Sequence, residues 1–320
     1  MAEVQRLVIT GATGFIGSAV LAELARIRDE AGPGAPRLVL RAVGRTAPAV
    51  AGQADEWRHG DLSDPGSLRG SCEEADVLLH LASWIGSDER ECAAVNIGGT
   101  EALMAEAREA GVRRIVQLST TAVYGRGPHR GIAVDSVFPA PRSPASRTRL
   151  AGEGIALAAG AVVLRPGLVI GAGDRSVVPG LAQLLVAIGA LWDGGKALIS
   201  VVAVRDLARL IARVALVAEP AGGVWHAGHP VPVRTAELVE AFTERGVLPR
   251  VDGDVSEAEC LERMAASGCR VSPSQFKLVA QDHWYDSAAI WDAAGCPPGP
   301  GPLECLEEAA SWYREYLDRV

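Results

Sequence analysis

Thr10-Gly11-Ala12-Thr13-Gly14-Phe15-Ile16-Gly17 is the segment whose residue types and spacing point most directly to chemistry. Three glycines at intervals of three, directly after an apolar run and opening a helix, suit a turn that cradles phosphate. Gly11 allows the tight turn, Gly14 lets the backbone approach a pyrophosphate, and Gly17 permits close helix-to-strand packing. The helix N-terminus itself favours negative charge. Where the second apolar run ends, a dinucleotide lacking a 2′-phosphate usually finds an Asp or Glu for its ribose hydroxyls. This chain offers Gly44-Arg45 instead, and a guanidinium pairs with a phosphate dianion, so NADP(H) is expected over NAD(H).

These residues need a scaffold of alternating strands and helices. Short β-branched runs at 7–10, 38–43, 77–82, 115–119 and 162–165 alternate with helical periodicity at 18–31, 91–111 and 146–159. That alternation predicts right-handed βαβ units, and so an α/β fold: a doubly wound parallel sheet with helices on both faces. Gly/Pro-rich turns change the composition near residue 167, followed by a strand at 199–204 and a helix at 207–217. The expected division is a dinucleotide-binding domain at 1–166, with 199–226 returning to it, and a smaller substrate lobe at 167–198 and 227–320.

Composition narrows the partners. The 320 residues carry 31 basic and 39 acidic side chains, a net charge of −8, and no Lys/Arg block, which argues against nucleic acid. The longest nearly uncharged stretches, 154–164 and 181–192, fall short of the roughly 18 apolar residues of a bilayer span, so no membrane partner is expected. The first residues lack a basic segment ahead of an apolar run, which leads to a cytoplasmic expectation. Cysteines 72, 92, 260, 269, 296 and 305 show no Cys-x-x-Cys pair or metal-like His spacing; free thiols and no metal are expected.

Several segments, in order, resemble the extended short-chain dehydrogenase/reductase family over most of the chain. They are the glycine turn, Gly60-Asp61-Leu62, His80-Leu81-Ala82-Ser83, Val95-Asn96 with Gly99-Thr100, the run from Leu118 through Ser119, Thr120 and Thr121 to Tyr124-Gly125, Leu164-Arg165-Pro166-Gly167, and Val204-Arg205-Asp206-Leu207-Ala208. The resemblance implies that Asp61 and Leu62 meet the adenine. It also implies that Leu81, Ala82, Ser83, Ser119, Pro166 and Leu168 lie along the dinucleotide, and that Thr120 is the family's catalytic Ser/Thr, with Thr121 beside it. The family's Tyr-x-x-x-Lys pair, whose tyrosine protonates the substrate oxygen, aligns without a gap on Ala145 and Arg149. An alanine transfers no proton, and general acid catalysis is worth about 10² to 10⁴ in rate.

Another proton source is therefore required. Tyr124 follows the Thr120 strand, and His129, His226 and His229 stand in loops or turns that could reach inward. Arg149 stays charged near neutral pH, so it can hold ribose hydroxyls and stabilise an alkoxide but cannot act as the acid. The remaining source is the substrate: a ketone beside a phenolic hydroxyl, as in polycyclic aromatic polyketides, carries its own proton. Leu168 stands where nucleotide-sugar members of the family carry Asn, and Trp84, Trp192, Trp225 and Trp284 offer flat walls. The leading expectation is an NADPH-dependent ketoreductase of an aromatic secondary metabolite, acting as a monomer or homodimer. Its rivals are a nucleotide-sugar reductase or epimerase of the dTDP-4-keto-hexose kind and a non-catalytic NADP(H)-binding sensor.

Overall fold

The computed structural model describes residues 4–48, 52–217, 220–304 and 306–319, so Cys305 lies outside the described residues. Five strands run β1 (Val4–Thr10), β2 (Arg37–Gly44), β3 (Glu56–His59), β4 (Val77–His80) and β5 (Arg114–Leu118), followed by Val162–Arg165 and Gly223–His226. All seven pair in parallel in one sheet, in which Gly223–His226 and Val162–Arg165 precede β5, β4, β1, β2 and β3. The chain lays β2 and β3 on one side of β1 and then crosses back to place β4 on the other. The crevice at the strand C-termini between β1 and β4 is the switch point at which doubly wound sheets take ligands.

Alternation within β1 shows why the sheet is covered on both faces. Leu7 and Ile9 pack into one core with Val20, Leu21 and Leu24 of α1 (Phe15–Asp29) and Leu207, Ile211 and Val214 of the helix Val204–Leu216. Val8 points oppositely and joins Leu103, Met104 and Ala107 of the helix Thr100–Glu109 and Ala156 of the helix Pro144–Ala158. Each fully buried Leu, Ile or Val here contributes roughly 1.5–3 kcal/mol. Successive strand residues face opposite ways, so a central strand of a doubly wound sheet must be apolar throughout. The runs read from sequence are these central strands. The missed edges are Glu56–His59, which carries charged and aromatic residues, and Gly223–His226.

A four-stranded sheet organises the second lobe in the order Val233–Arg234, Leu198–Ile199, His283–Tyr285, His129–Ile132. Its core takes Leu181, Leu184 and Leu185 from the helix Val177–Ile188, Phe242 from Thr235–Glu244 and Tyr313 from Leu306–Leu317. The boundary between the lobes departs from the expected residue ranges. His129–Ile132, inside 1–166, pairs with His283–Tyr285 of the lobe, whereas Ile290 and Trp291 of the helix Ala288–Ala293 complete the main core. Among the described residues, no helix is long and apolar enough to cross a membrane.

Candidate cofactor groove and active site

Gly11 and Gly17 fix the shape of the turn after β1. Gly11 has φ +73°, and a Cβ there would lie 2.7 Å from the Ala82 backbone nitrogen; a Cβ on Gly17 would lie 2.0 Å from the Gly11 carbonyl oxygen. Only glycine allows β1, α1 and the segment after β4 to converge this closely. Gly14 is the N-cap of α1, and Thr13 and Gly14 are exposed, which leaves the helix N-terminus open to an anion. Phe15 packs under Gly173, and Ile16 packs against the main core.

A cavity of ≈ 460 Å³ opens in front of this turn. Gly11 and Thr13 form its floor, Gly44, Arg45 and Thr46 one wall, and Asp61, Leu62 and Ser63 its end. Ala82, Ser83, Trp84, Arg90, Glu91, Ala94 and Val95 form the opposite wall. Asp61 Oδ1 accepts hydrogen bonds from the Ser63 backbone at 2.9 Å and the Ser63 hydroxyl at 2.7 Å. These bonds, with Arg45 adding a smaller attraction, hold its carboxyl below the usual range. The size, the open helix N-terminus and the cation at the end of β2 fit the adenosine and pyrophosphate of a dinucleotide. Leu81 is 8% exposed and belongs to the main core.

A buried polar layer supports the wall. Thr100 Oγ1 donates to the Asn96 carbonyl at 2.8 Å, so His80 Nε2 must carry the hydrogen it shares with Thr100 at 3.0 Å. His80 Nδ1 then accepts from Thr10 Oγ1 at 2.9 Å. Burial, with the Arg149 charge second, pushes His80 down to about 4, so its ring is neutral. Asn96 lies in the π-helical turn Ala94–Gly99 and brackets the Trp84 peptide: its Oδ1 accepts the Trp84 N–H at 2.7 Å and its Nδ2 donates to the Trp84 carbonyl at 2.9 Å. Trp84 therefore sits in the cofactor groove, with its indole Nε1 buried and without a hydrogen-bond partner among the described residues.

At the end of β5, Thr120 caps a short turn: its hydroxyl accepts from the Ala122 N–H at 3.1 Å and keeps its hydrogen to give. Thr121 is buried and its side chain hydrogen-bonds Tyr285. Ser119 is buried with its hydroxyl on Glu153. Ala145 lies in the first turn of the helix Pro144–Ala158, behind the Ser143–Ser146 capping box. One turn on, Arg149 reaches the Leu118 carbonyl at 3.2 Å, and its Nε has no partner among the described residues. Burial, opposed by Glu153, moves the guanidinium down to about 10, which leaves it a cation at neutral pH. Pro166 is buried at the end of Val162–Arg165, with its carbonyl accepting from the Thr121 N–H at 3.0 Å, and Leu168 is half-buried.

The side chains weighed as proton donors lie elsewhere. Tyr124 is 1% exposed; its hydroxyl accepts from Arg165 at 2.8 Å and lies 2.7 Å from His226 Nε2. Because His226 Nδ1 donates to the Asp286 carbonyl at 3.0 Å, Nε2 is an acceptor, and the single phenol proton is held between Nε2 and the Val134 carbonyl, 3.1 Å from the hydroxyl. Burial pushes His226 down to about 4, and burial followed by His283 lowers His129, which bonds Tyr285 at 3.0 Å. His229 is also buried, held by Val231 and the Gly299 carbonyl. Arg165 and Glu153 form the charged centre of this knot, 5% and 2% exposed. Three tryptophans are likewise used in packing: Trp192 in the lobe core, Trp225 against the main core and Trp284 over Gly131. Glu153, the single charged residue between Arg149 and Arg165, was the visible sequence signal for the knot.

The sequence model of the NAD dependent epimerase/dehydratase family matches residues 7–228. A curated relative from Stigmatella aurantiaca, 4-hydroxy-2-methyl-3-oxo-4-farnesyl-3,4-dihydroquinoline-1-oxide ketoreductase, is 29% identical over 75% of this chain and 72% of its own length. The 2-alkyl-3-oxoalkanoate reductase of Stenotrophomonas maltophilia is 28% identical over 88% and 91%. Sterol demethylase protein B of Methylococcus capsulatus is 36% identical over 38% of this chain and 36% of that protein, about a third of its length. Among solved structures, WbmH of Bordetella bronchiseptica in complex with NAD+ superposes with a TM-score of 0.74 at 20% identity, covering 98% of this chain and 99% of that one. MoeE5 in complex with UDP-glucose and NAD gives 0.70 at 24%, over 98% and 99%. At these identities the superpositions establish the Rossmann-like fold.

Proposed function

This chain belongs to the NAD-dependent epimerase/dehydratase family of NAD(P)-dependent oxidoreductases, and on that premise we propose that it is an NADPH-dependent reductase of an aromatic, polyketide-type ketone bearing a neighbouring phenolic hydroxyl. The observation that carries the reading is Ala145, a methyl group in the first turn of its helix where the family places its acid, with Tyr124 and three histidines enclosed elsewhere. The chemistry a bound reduced nicotinamide would supply is a hydride for the carbonyl carbon. Thr120 offers its free hydroxyl hydrogen to the carbonyl oxygen, and Arg149 holds ribose hydroxyls and steadies the developing alkoxide. The phenolic hydroxyl passes its proton to that oxygen, and the phenolate recovers one from water. Positioning alone is worth several kcal/mol in such a site.

The activities for which the ketoreductase and reductase relatives are named support carbonyl reduction, and the names of the quinoline and sterol relatives support an apolar or ring substrate. An angucyclinone ketone, of the kind reduced by the simocyclinone 7-ketoreductase, has the required flat rings and internal hydrogen bond. Arg45 supports NADPH. The test is a pair of matched polycyclic ketones with NADPH, one carrying the adjacent hydroxyl and one lacking it. The hydroxylated member is expected to react about 100-fold faster, the scale of general acid catalysis. Equal rates would sink the reading, and turnover of a UDP- or dTDP-sugar in place of both would return the chain to nucleotide-sugar chemistry.

A further inference from the structure

The groove wall opposite Arg45 carries a second arginine. Arg90 belongs to the helix Glu89–Ala93, and Arg90, Glu91, Ala94 and Val95 present one face to the cavity whose other wall ends in Arg45. Of its acidic neighbours, Glu89 pairs with Arg147 at 2.9 Å and Asp88 caps the helix by accepting the Glu91 N–H at 2.9 Å, whereas Glu91, which also lines the cavity, makes no side-chain hydrogen bond or ion pair among the described residues. Arg90 and Arg45 make no side-chain hydrogen bond or ion pair among the described residues, and both are exposed. Arg45 is partly offset by Asp61, which its charge helps to keep ionised. One partly offset guanidinium is weak compensation for a phosphate dianion in a cavity that also holds the Asp61 and Glu91 carboxylates, and a second guanidinium adds both attraction and directional hydrogen bonds.

We infer that Arg90 is the second cation of a two-walled site for the 2′-phosphate of the cofactor's adenosine, acting with Arg45 across the groove to set NADPH specificity. The inference rests on the NADPH reading above. It places coenzyme selectivity on the helix after β4 as well as on the end of β2.

The test is equilibrium binding to the whole protein, followed by quenching of tryptophan fluorescence or by calorimetry, with NADPH, NADH, 2′,5′-ADP and 5′-AMP as probes. Arg90→Ala is expected to weaken NADPH and 2′,5′-ADP about tenfold, as expected for one charge-assisted contact, and to leave NADH and 5′-AMP unchanged. Arg45→Ala is expected to act on the same two ligands. An unchanged NADPH affinity in Arg90→Ala overturns the inference, as does an equal loss on all four probes, which would mark a contact with adenine. If the wild type binds 2′,5′-ADP no better than 5′-AMP, the NADPH reading falls and this site falls with it. If the wild type favours 2′,5′-ADP and Arg90→Ala keeps the same margin, only the two-walled site falls. An unfolding midpoint equal to wild type shows that each variant is folded.

Discussion

The open groove beside the glycine turn and the knot around Tyr124 both carry polar side chains, and they are opposites in exposure and pairing. In the groove, Arg45, Arg90 and the exposed end of α1 present donors to an open cavity. In the knot, Ser119, Glu153, Arg165, Tyr124, His226 and the Asp286 carbonyl hydrogen-bond in series, and each of these side chains is buried. Unpaired polar groups facing solvent cost little and are available to a ligand, whereas polar groups withdrawn from water must pair with one another. Side chains able to move protons are concentrated in the knot, but their protons are committed there.

Glu153→Ala tests the contrast with the largest effect. It strands the Arg165 cation in the interior, and a loss of about 3–5 kcal/mol in unfolding free energy is expected by denaturant titration. Substitution of Arg45, which touches only the open cavity, is expected to move stability by no more than about 0.5 kcal/mol. Comparable losses would erase the distinction between the regions.

Acid titration is expected to give the next largest effect. His80 and His226 are held at about 4 in the folded chain, against about 6.5 when unfolded. The unfolded chain therefore takes up protons first as pH falls from about 6.5 to 4. Stability drops across that window by about 3 kcal/mol for each ring and loses nothing further to them below it. Unfolding measured from pH 7 to 4 checks this, and replacement of His226 by Asn should flatten part of the slope. A slope unchanged in that variant would show that His226 is charged or exposed, contrary to the closed knot.

Among the knot variants, Tyr124→Phe gives the smallest expected effect and the sharpest test of whether the knot is catalytic. Removal of the hydroxyl should cost about 1–2 kcal/mol of stability and leave turnover of a hydroxylated ketone within a few-fold of wild type. A loss of 10² or more in turnover, with the fold intact, would make the knot part of the proton path.

The glycine turn, the five runs that became central strands and their helices were legible because each is local. A strand buried on both faces must be apolar, and a turn that approaches phosphate must lack side chains. Ala145 and Arg149 were legible as a departure for the same reason, since an uninterrupted helix fixes their spacing. The three strands that join Leu198–Ile199 in the lobe sheet draw on residues 129–132, 233–234 and 283–285, and no periodicity in runs so short could have paired them.

Sequence alone thus determined the scaffold, the place of the glycine turn and the absence of a tyrosine at position 145. Tertiary structure alone decided that Tyr124 and the three histidines are enclosed, that Trp84 and Arg90 stand in the groove, and that Glu153 meets Arg165. The physical reason is that burial and partnership depend on residues far apart in the chain: a hydroxyl or imidazole has the same formula whether it faces solvent or another side chain, and only the packed fold settles which.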